Sequence, residues 1–343
     1  MNIFENRGTN LPVWFMRQAG RYHSHYQNIK KDSDFMSMCK NPKIACEVTL
    51  GPIQDFGFNA AILFSDLLFP LEQIGMGLSY HSGPPTLEWH LESTEDLKKL
   101  NITTPGEEFY KFQGEACQLL RQKLPPEVTL LGFVGAPFTL YTYAVEGSHA
   151  GNLVSAKKGL FDGRFETFCH LLLPELLKEM TMQAKNGANA IALFDTAAGE
   201  LCPSDYREFI VPQLSKLLED FKKQCPETKI IYYSKHTQAS FIKTMDLTHI
   251  DVIGVDWRCD LVEIQKLLPS NIYIQGNIDP AWLHLPWEIL ETKVKDYLHD
   301  LRVRGLDFKR WITGLGHGVL IKTPEENVRR VVKLIQSEKC SHQ

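Results

Sequence analysis

At 343 residues, with 43% apolar and 23% charged content, the chain has the make-up of a globular protein with a full core, which excludes a disordered segment. Its net charge of -4 is spread without a basic stripe or a like-charge run, which argues against nucleic acid or an anionic membrane and leaves a small molecule as the default partner. Eight scattered cysteines without a CxxC pair read as free thiols of a reducing compartment; no apolar run spans a bilayer and 1–7 carry no leader pattern, so a cytosolic protein is expected, unless a transit peptide was trimmed.

Short apolar runs rich in β-formers follow one another along the chain. The first, 13–16, leads into Arg17 and Arg21, and the second, 60–64, into Asp66. Run 130–134 precedes Gly135, Ala136 and Pro137 and then Tyr143, and run 190–194 precedes Asp195 and Thr196. Runs 230–233 and 252–255 come next, then 272–274 ahead of Asn277 and Asp279, and finally 311–312 ahead of His317. Strands buried on both faces read in this continuous way, which predicts a parallel sheet covered by helices.

Segments of helical period separate the runs, such as 171–180 and 261–268. After the last run, Thr323 reads as an N-cap, Pro324 as the first helical residue and Glu326 as the capping-box acid, with Val328, Val331, Val332 and Ile335 on one face. No linker divides the chain, and the gap 67–128 has room for an inserted loop and an extra helix. Eight strand-helix units without a GxGxxG turn favour an α/β fold of one (β/α)8 TIM barrel over 1–343, rather than a doubly wound sheet. The polar residues that follow the runs then converge on the carboxyl-end mouth of the barrel, where such folds carry their active sites.

Each of these residues admits a chemical reading and a bland one. Arg17 and Arg21, four apart beside Gly20, suit carboxylates or phosphates, or are two surface arginines. Asp66 is the odd member: a carboxylate in an anion-receiving pocket requires a substrate that also brings hydrogen-bond donors, such as pyrrole N–H groups, unless it pairs with an arginine or caps a helix. His317 between glycines suits a ligand-facing imidazole, and Tyr143 and Thr196 can donate to carboxylates. His23, His25 and His236 lack partners at metal-ligand spacing and read as exposed loop histidines. GFVGAP (132–137) lacks the lysine of a phosphate loop, and there is no nucleophile elbow.

In PVWFMRQAGRY (12–22), FSD (64–66), GFVGAPFTL (132–140), TYAVEG (142–147), QGNIDP (275–280) and GLGHG (314–318) the sequence resembles the uroporphyrinogen decarboxylase family, over almost the whole chain. The resemblance implies a homodimer that converts uroporphyrinogen to coproporphyrinogen in haem and chlorophyll biosynthesis, without metal or organic cofactor. It implies substrate contacts at Arg17, Gln18, Ala19, Gly20, Arg21, Asp66, Tyr143, Thr196 and His317, apolar walls at Phe133 and Phe194, and catalytic roles for Asp66 and Arg17, with the arginines keeping Asp66 charged. The chain departs from the family pattern at HSHYQ (23–27), Lys30, Thr196, Ala197 and Gly314. Two rivals remain: a zinc-dependent thiol methyltransferase of the same superfamily, which would need a His-x-Cys where SKHTQ (234–238) stands, and a tetrapyrrole-binding protein without catalysis.

Overall fold

The computed structural model describes residues 3–4, 10–80, 84–236 and 238–340. The amino-terminal reading over 1–7 lies mostly outside these, as does Thr237 in SKHTQ. Seven strands form one curled parallel sheet in sequence order: β1 (Ala60–Ile62), β2 (Thr129–Gly135), β3 (Ala190–Asp195), β4 (Lys229–Ser234), β5 (Val252–Gly254), β6 (Tyr273–Ile278) and β7 (Trp311–Leu315). Each coincides with an expected apolar run, because both faces of the sheet are covered and no polar alternation is needed.

Helices return the chain from one strand to the next: α1 (Pro42–Phe56), α2 (Lys111–Lys123), α3 (Pro137–Glu146), α4 (Arg164–Lys185), α5 (Val211–Gln224), α6 (Leu261–Leu267), α7 (Trp287–Val303) and α8 (Glu325–Ser337). Local chemistry sets their ends. In α1 the Asn41 side chain accepts the Lys43 and Ile44 N–H groups, Pro42 occupies the first turn where no donor is needed, and Gly57 closes the helix at a φ of 74°. Trp14, Leu131, Ala192, Ile231, Val252 and Ile312 pack inside the sheet's curl, and a larger cluster fills the layer between sheet and helices.

The first expected strand, 13–16, makes a single parallel bridge, from Val13 to Thr313 of β7. The segment nevertheless touches both edges of the sheet. Thr313 N–H donates to Pro12 O at 2.9 Å and Trp14 N–H to Thr313 O at 3.2 Å, while Asn59 N–H donates to Val13 O at 3.0 Å. The chain then turns at Arg17, whose φ is 56°, and a side chain takes over from backbone. Gln18 Nε2 donates to Ala60 O at 3.1 Å and its Oε1 accepts from Ile62 N–H at 3.3 Å. A carboxamide offers the same donor and acceptor as a peptide group, so Gln18 satisfies the edge of β1 that a continuing strand would have paired.

The expected cap of α8 differs as well. Thr323 donates from Oγ1 to Leu320 O at 2.8 Å and meets His284 Nε2 at 3.1 Å, leaving the helix to begin after Pro324. Glu325 accepts from Ser24 N–H at 2.6 Å, and Glu326 pairs forward with Arg330 at 2.9 Å rather than closing a capping box. All eight cysteines are free thiols, and among the described residues no helix is long and apolar enough to cross a membrane.

Candidate active site

Arg17 is exposed and forms no ion pair with any described residue. Its aliphatic stem lies on Gly318: a Cβ there would fall 2.4 Å from Arg17 Cδ, so only glycine leaves room. Val319 N–H donates to Met16 O at 2.9 Å, lacing this turn to the loop that carries His317. Ala19 packs against the Tyr26 and Met38 cluster, and Gly20 O accepts His23 N–H at 2.9 Å. Gln18 is fully buried with its amide engaged by β1 and its backbone carbonyl accepting the Tyr22 hydroxyl at 2.8 Å, so its side chain serves the fold. Arg21 is exposed further out, an electrostatic neighbour of Tyr26.

Asp66 is 6% exposed. Leu68 N–H donates to Oδ1 at 2.6 Å and the Tyr80 hydroxyl donates to Oδ2. Burial raises its pKa above the usual carboxylate range, against the lowering effect of those two donors. The expected arginine support is missing, since Asp66 makes no ion pair with a described residue and its two donors are uncharged. The phenol of Tyr143, pushed up to about 12 by burial, feels both Asp66 and Arg17.

His317 lies just past β7, with Gly318 N–H donating to its Nδ1 at 2.7 Å. Burial, then the positive charges of Arg17 and Lys235, lower its pKa to about 4. The ring is therefore neutral near pH 7 with its proton on Nε2, a donor available to an anion. Inside the curl an aromatic chain leads up to it: Phe133 to Phe194 at 5.7 Å, Phe194 to Tyr233 at 6.0 Å and Tyr233 to His317 at 6.2 Å between centroids. Phe133 and Phe194, expected as walls, are thus in contact with each other in this chain. Thr196 sits half-buried directly after β3.

Other expected mouth residues belong to the fold. Asn277 donates to Asp256 O at 2.9 Å and Cys259 O at 2.7 Å and accepts from Tyr297, while Asp279 caps the turn at Ala281. His23, expected to be an exposed loop residue, is fully buried and bonds Asp55 at 2.7 Å, because Phe56 packs on its ring; His25 is half-buried and bonds Glu47 O at 3.2 Å. His236 is exposed, as expected. No group of three or more His, Cys, Asp or Glu side chains among the described residues is arranged to hold a metal ion.

Three residues at the site carry no sequence signal. Tyr80 holds Asp66, His149 meets Tyr143, and Lys235, directly after β4, lowers the pKa of His149 and His317 without an ion pair to a described residue. All lie in loops, where no periodicity marks a residue. Arg17, Asp66, Tyr143, His149, Lys235 and His317 form one electrostatic neighbourhood.

Fold and site together define an α/β enzyme of the parallel type, its polar residues gathered where the strands end. The family model described as Uroporphyrinogen decarboxylase (URO-D) matches residues 5–338. A curated uroporphyrinogen decarboxylase of Geobacter metallireducens is 36% identical over 327 residues, covering 94% of this chain and 93% of that protein. One of Legionella pneumophila strain Lens is 34% identical over 330 residues, covering 94% and 92%. The chain belongs to the uroporphyrinogen decarboxylase family. Among solved structures, a methyltransferase from Methanosarcina mazei superposes with a TM-score of 0.76 over 96% of this chain and 94% of that one at 17% identity, a likeness of fold alone.

Proposed function

We propose that this chain decarboxylates uroporphyrinogen III to coproporphyrinogen III, converting four acetate side chains to methyls. The observation that carries the reading is Asp66, a buried carboxylate that shares Tyr143 as a neighbour with Arg17, a cation without an ion pair to any described residue. Uroporphyrinogen matches both: pyrrole N–H groups for the acid, carboxylates for Arg17, Lys235 and the Nε2–H of His317.

Chemically, each round replaces C–COO⁻ by C–H, consuming one proton and releasing CO2. Protonation of a pyrrole carbon creates a cation; the pair from the breaking C–C bond flows into it, and protonation of the exposed methylene, with loss of the ring proton, gives the methyl. An ionised Asp66 held before reaction stabilises that cation, an advantage enlarged where water is excluded. Burial opposes this ionisation, and the Tyr80 and Leu68 donors, joined by the pyrrole N–H groups, favour it. Arg17 steers and holds the leaving carboxylate; its guanidinium does not readily give up a proton. Gln18, Ala19 and Gly20 would meet substrate through backbone, and Thr196 and Arg21 at the periphery.

In this reading the 12–18 segment is the eighth stave of a (β/α)8 barrel, a single domain over 1–343 that acts as a cytoplasmic homodimer without metal or organic cofactor. Exposed Phe161 and Val154, on the helix Val154–Phe161, are apolar surface that supports pairing. The test is anaerobic incubation of metal-stripped protein with uroporphyrinogen III, with products separated by chromatography after oxidation. Stepwise appearance of hepta- to tetracarboxylates is expected. A flat trace from folded protein sinks the reading, and activity restored only by zinc brings back the metal-dependent alternative.

A further inference from the structure

His149 lies in the loop after α3, where Gly147 at a φ of 66° turns the chain and Glu146 accepts the N–H groups of Ser155 at 2.8 Å and Ala156 at 3.1 Å. The loop is therefore held at both ends. His149 Nδ1 lies 2.6 Å from the Tyr143 hydroxyl, with the rings 5.3 Å apart, while Nε2 has no hydrogen bond to any described residue. Its electrostatic surroundings come from four loops: Lys235 after β4, Arg17, Glu200 after β3, and His317 after β7. Burial, then Lys235 and Arg17, lower its pKa, so the ring is neutral near pH 7 and carries one proton on one nitrogen.

We propose that His149 reads and positions the substrate: Nε2–H donates to a carboxylate of the bound tetrapyrrole, and Nδ1 accepts the Tyr143 hydroxyl proton. This rests on the decarboxylase reading for the ligand. The two nitrogens are coupled. A carboxylate drawn in by Arg17 and Lys235 selects the tautomer with hydrogen on Nε2, and that leaves only a lone pair at Nδ1 for Tyr143. With its proton committed to His149, the phenol can only accept from substrate. Tyr143 then takes a pyrrole N–H beside Asp66, instead of donating to a carboxylate.

His149→Asn keeps an acceptor near the Nδ1 position and loses the outward donor, whereas His149→Ala loses both. Anaerobic kinetics with uroporphyrinogen III should show KM raised about tenfold in His149→Asn with a smaller change in kcat, and both parameters impaired in His149→Ala. In a Tyr143→Phe background, the kcat loss on going to alanine should vanish. Nitrogen-15 spectra of histidine-labelled wild type with uroporphyrinogen III should show His149 protonated at Nε2. Alanine kinetics within twofold of wild type, or a proton on Nδ1 in the bound state, overturns the proposal. Wild type that binds and shifts to the Nε2–H form without turning over sinks the decarboxylase reading and leaves His149 as the carboxylate reader.

Discussion

Asp66 and Asp195 both follow an apolar strand, and both are buried acids that accept two hydrogen bonds, yet they do different work. Asp195 ends β3 with no exposure, accepting from Thr139 Oγ1 and Tyr232 Oη at 2.8 Å each, with Tyr206 donating to Tyr232 behind it at 2.9 Å. That chain of hydroxyls joins α3 to β3 and β4. Asp66 instead has its donors in Tyr80 and Leu68, and its charge reaches Tyr143, which also feels Arg17. A carboxylate has about four acceptor sites, so two donors exhaust neither acid. What separates them is their company: Asp195 is enclosed by hydroxyls of the fold, whereas Asp66 shares Tyr143 as an electrostatic neighbour with Arg17.

Asp66→Asn is the sharpest way to break the comparison. It should lower kcat by roughly 10²–10³-fold with a much smaller change in KM, since the charge it opposes develops in the transition state. Equal losses of turnover and of tetrapyrrole binding would make Asp66 a binding residue only. Asp195→Asn should do the reverse, costing about 1–3 kcal/mol in urea unfolding as one hydroxyl loses its acceptor, with kcat within about threefold. Lost turnover at unchanged stability would move Asp195 into the site.

Tyr80→Phe removes a donor that favours ionised Asp66, so the acid limb of kcat/KM should move to higher pH, with kcat down about threefold to tenfold near neutrality. An unshifted limb would mean that Leu68 N–H alone sets the charge state. The smallest effect is expected beneath the site, at fully buried Glu179, whose pKa burial raises from 4.5 to about 8. The folded state then binds this proton more tightly than the unfolded chain, so the acid's contribution falls as pH rises through that window and levels off above it. Glu179→Gln should melt about 2 °C or more above wild type at alkaline pH, with the gap closing toward pH 5; a gap independent of pH would refute the assignment.

Seven strands were legible because burial on both faces leaves an unbroken apolar signature, and the site's side of the fold followed from what stands after each run. Asp66, Arg17, Tyr143 and His317 come together on that basis. Asn277 and Asp279 carried the same signal and went to loop latching and capping, because position at a strand end does not tell which way a side chain turns. Thr323 looked like a cap for the same reason that it is not one: its hydroxyl found Leu320 O first. Tyr80, His149 and Lys235 stayed hidden, since in a loop no periodicity marks a residue or points to its partner.

Gln18 ties two fates together. The same amide that stands in for backbone at the edge of β1 fixes the start of the turn that presents Arg17, so closure of the sheet and placement of the guanidinium cannot drift separately. One residue inserted or deleted between Phe15 and Gln18 would both unfasten β1 and lift the stem of Arg17 off Gly318. Lineages descending from this chain should therefore keep the six-residue stretch from Val13 at constant length.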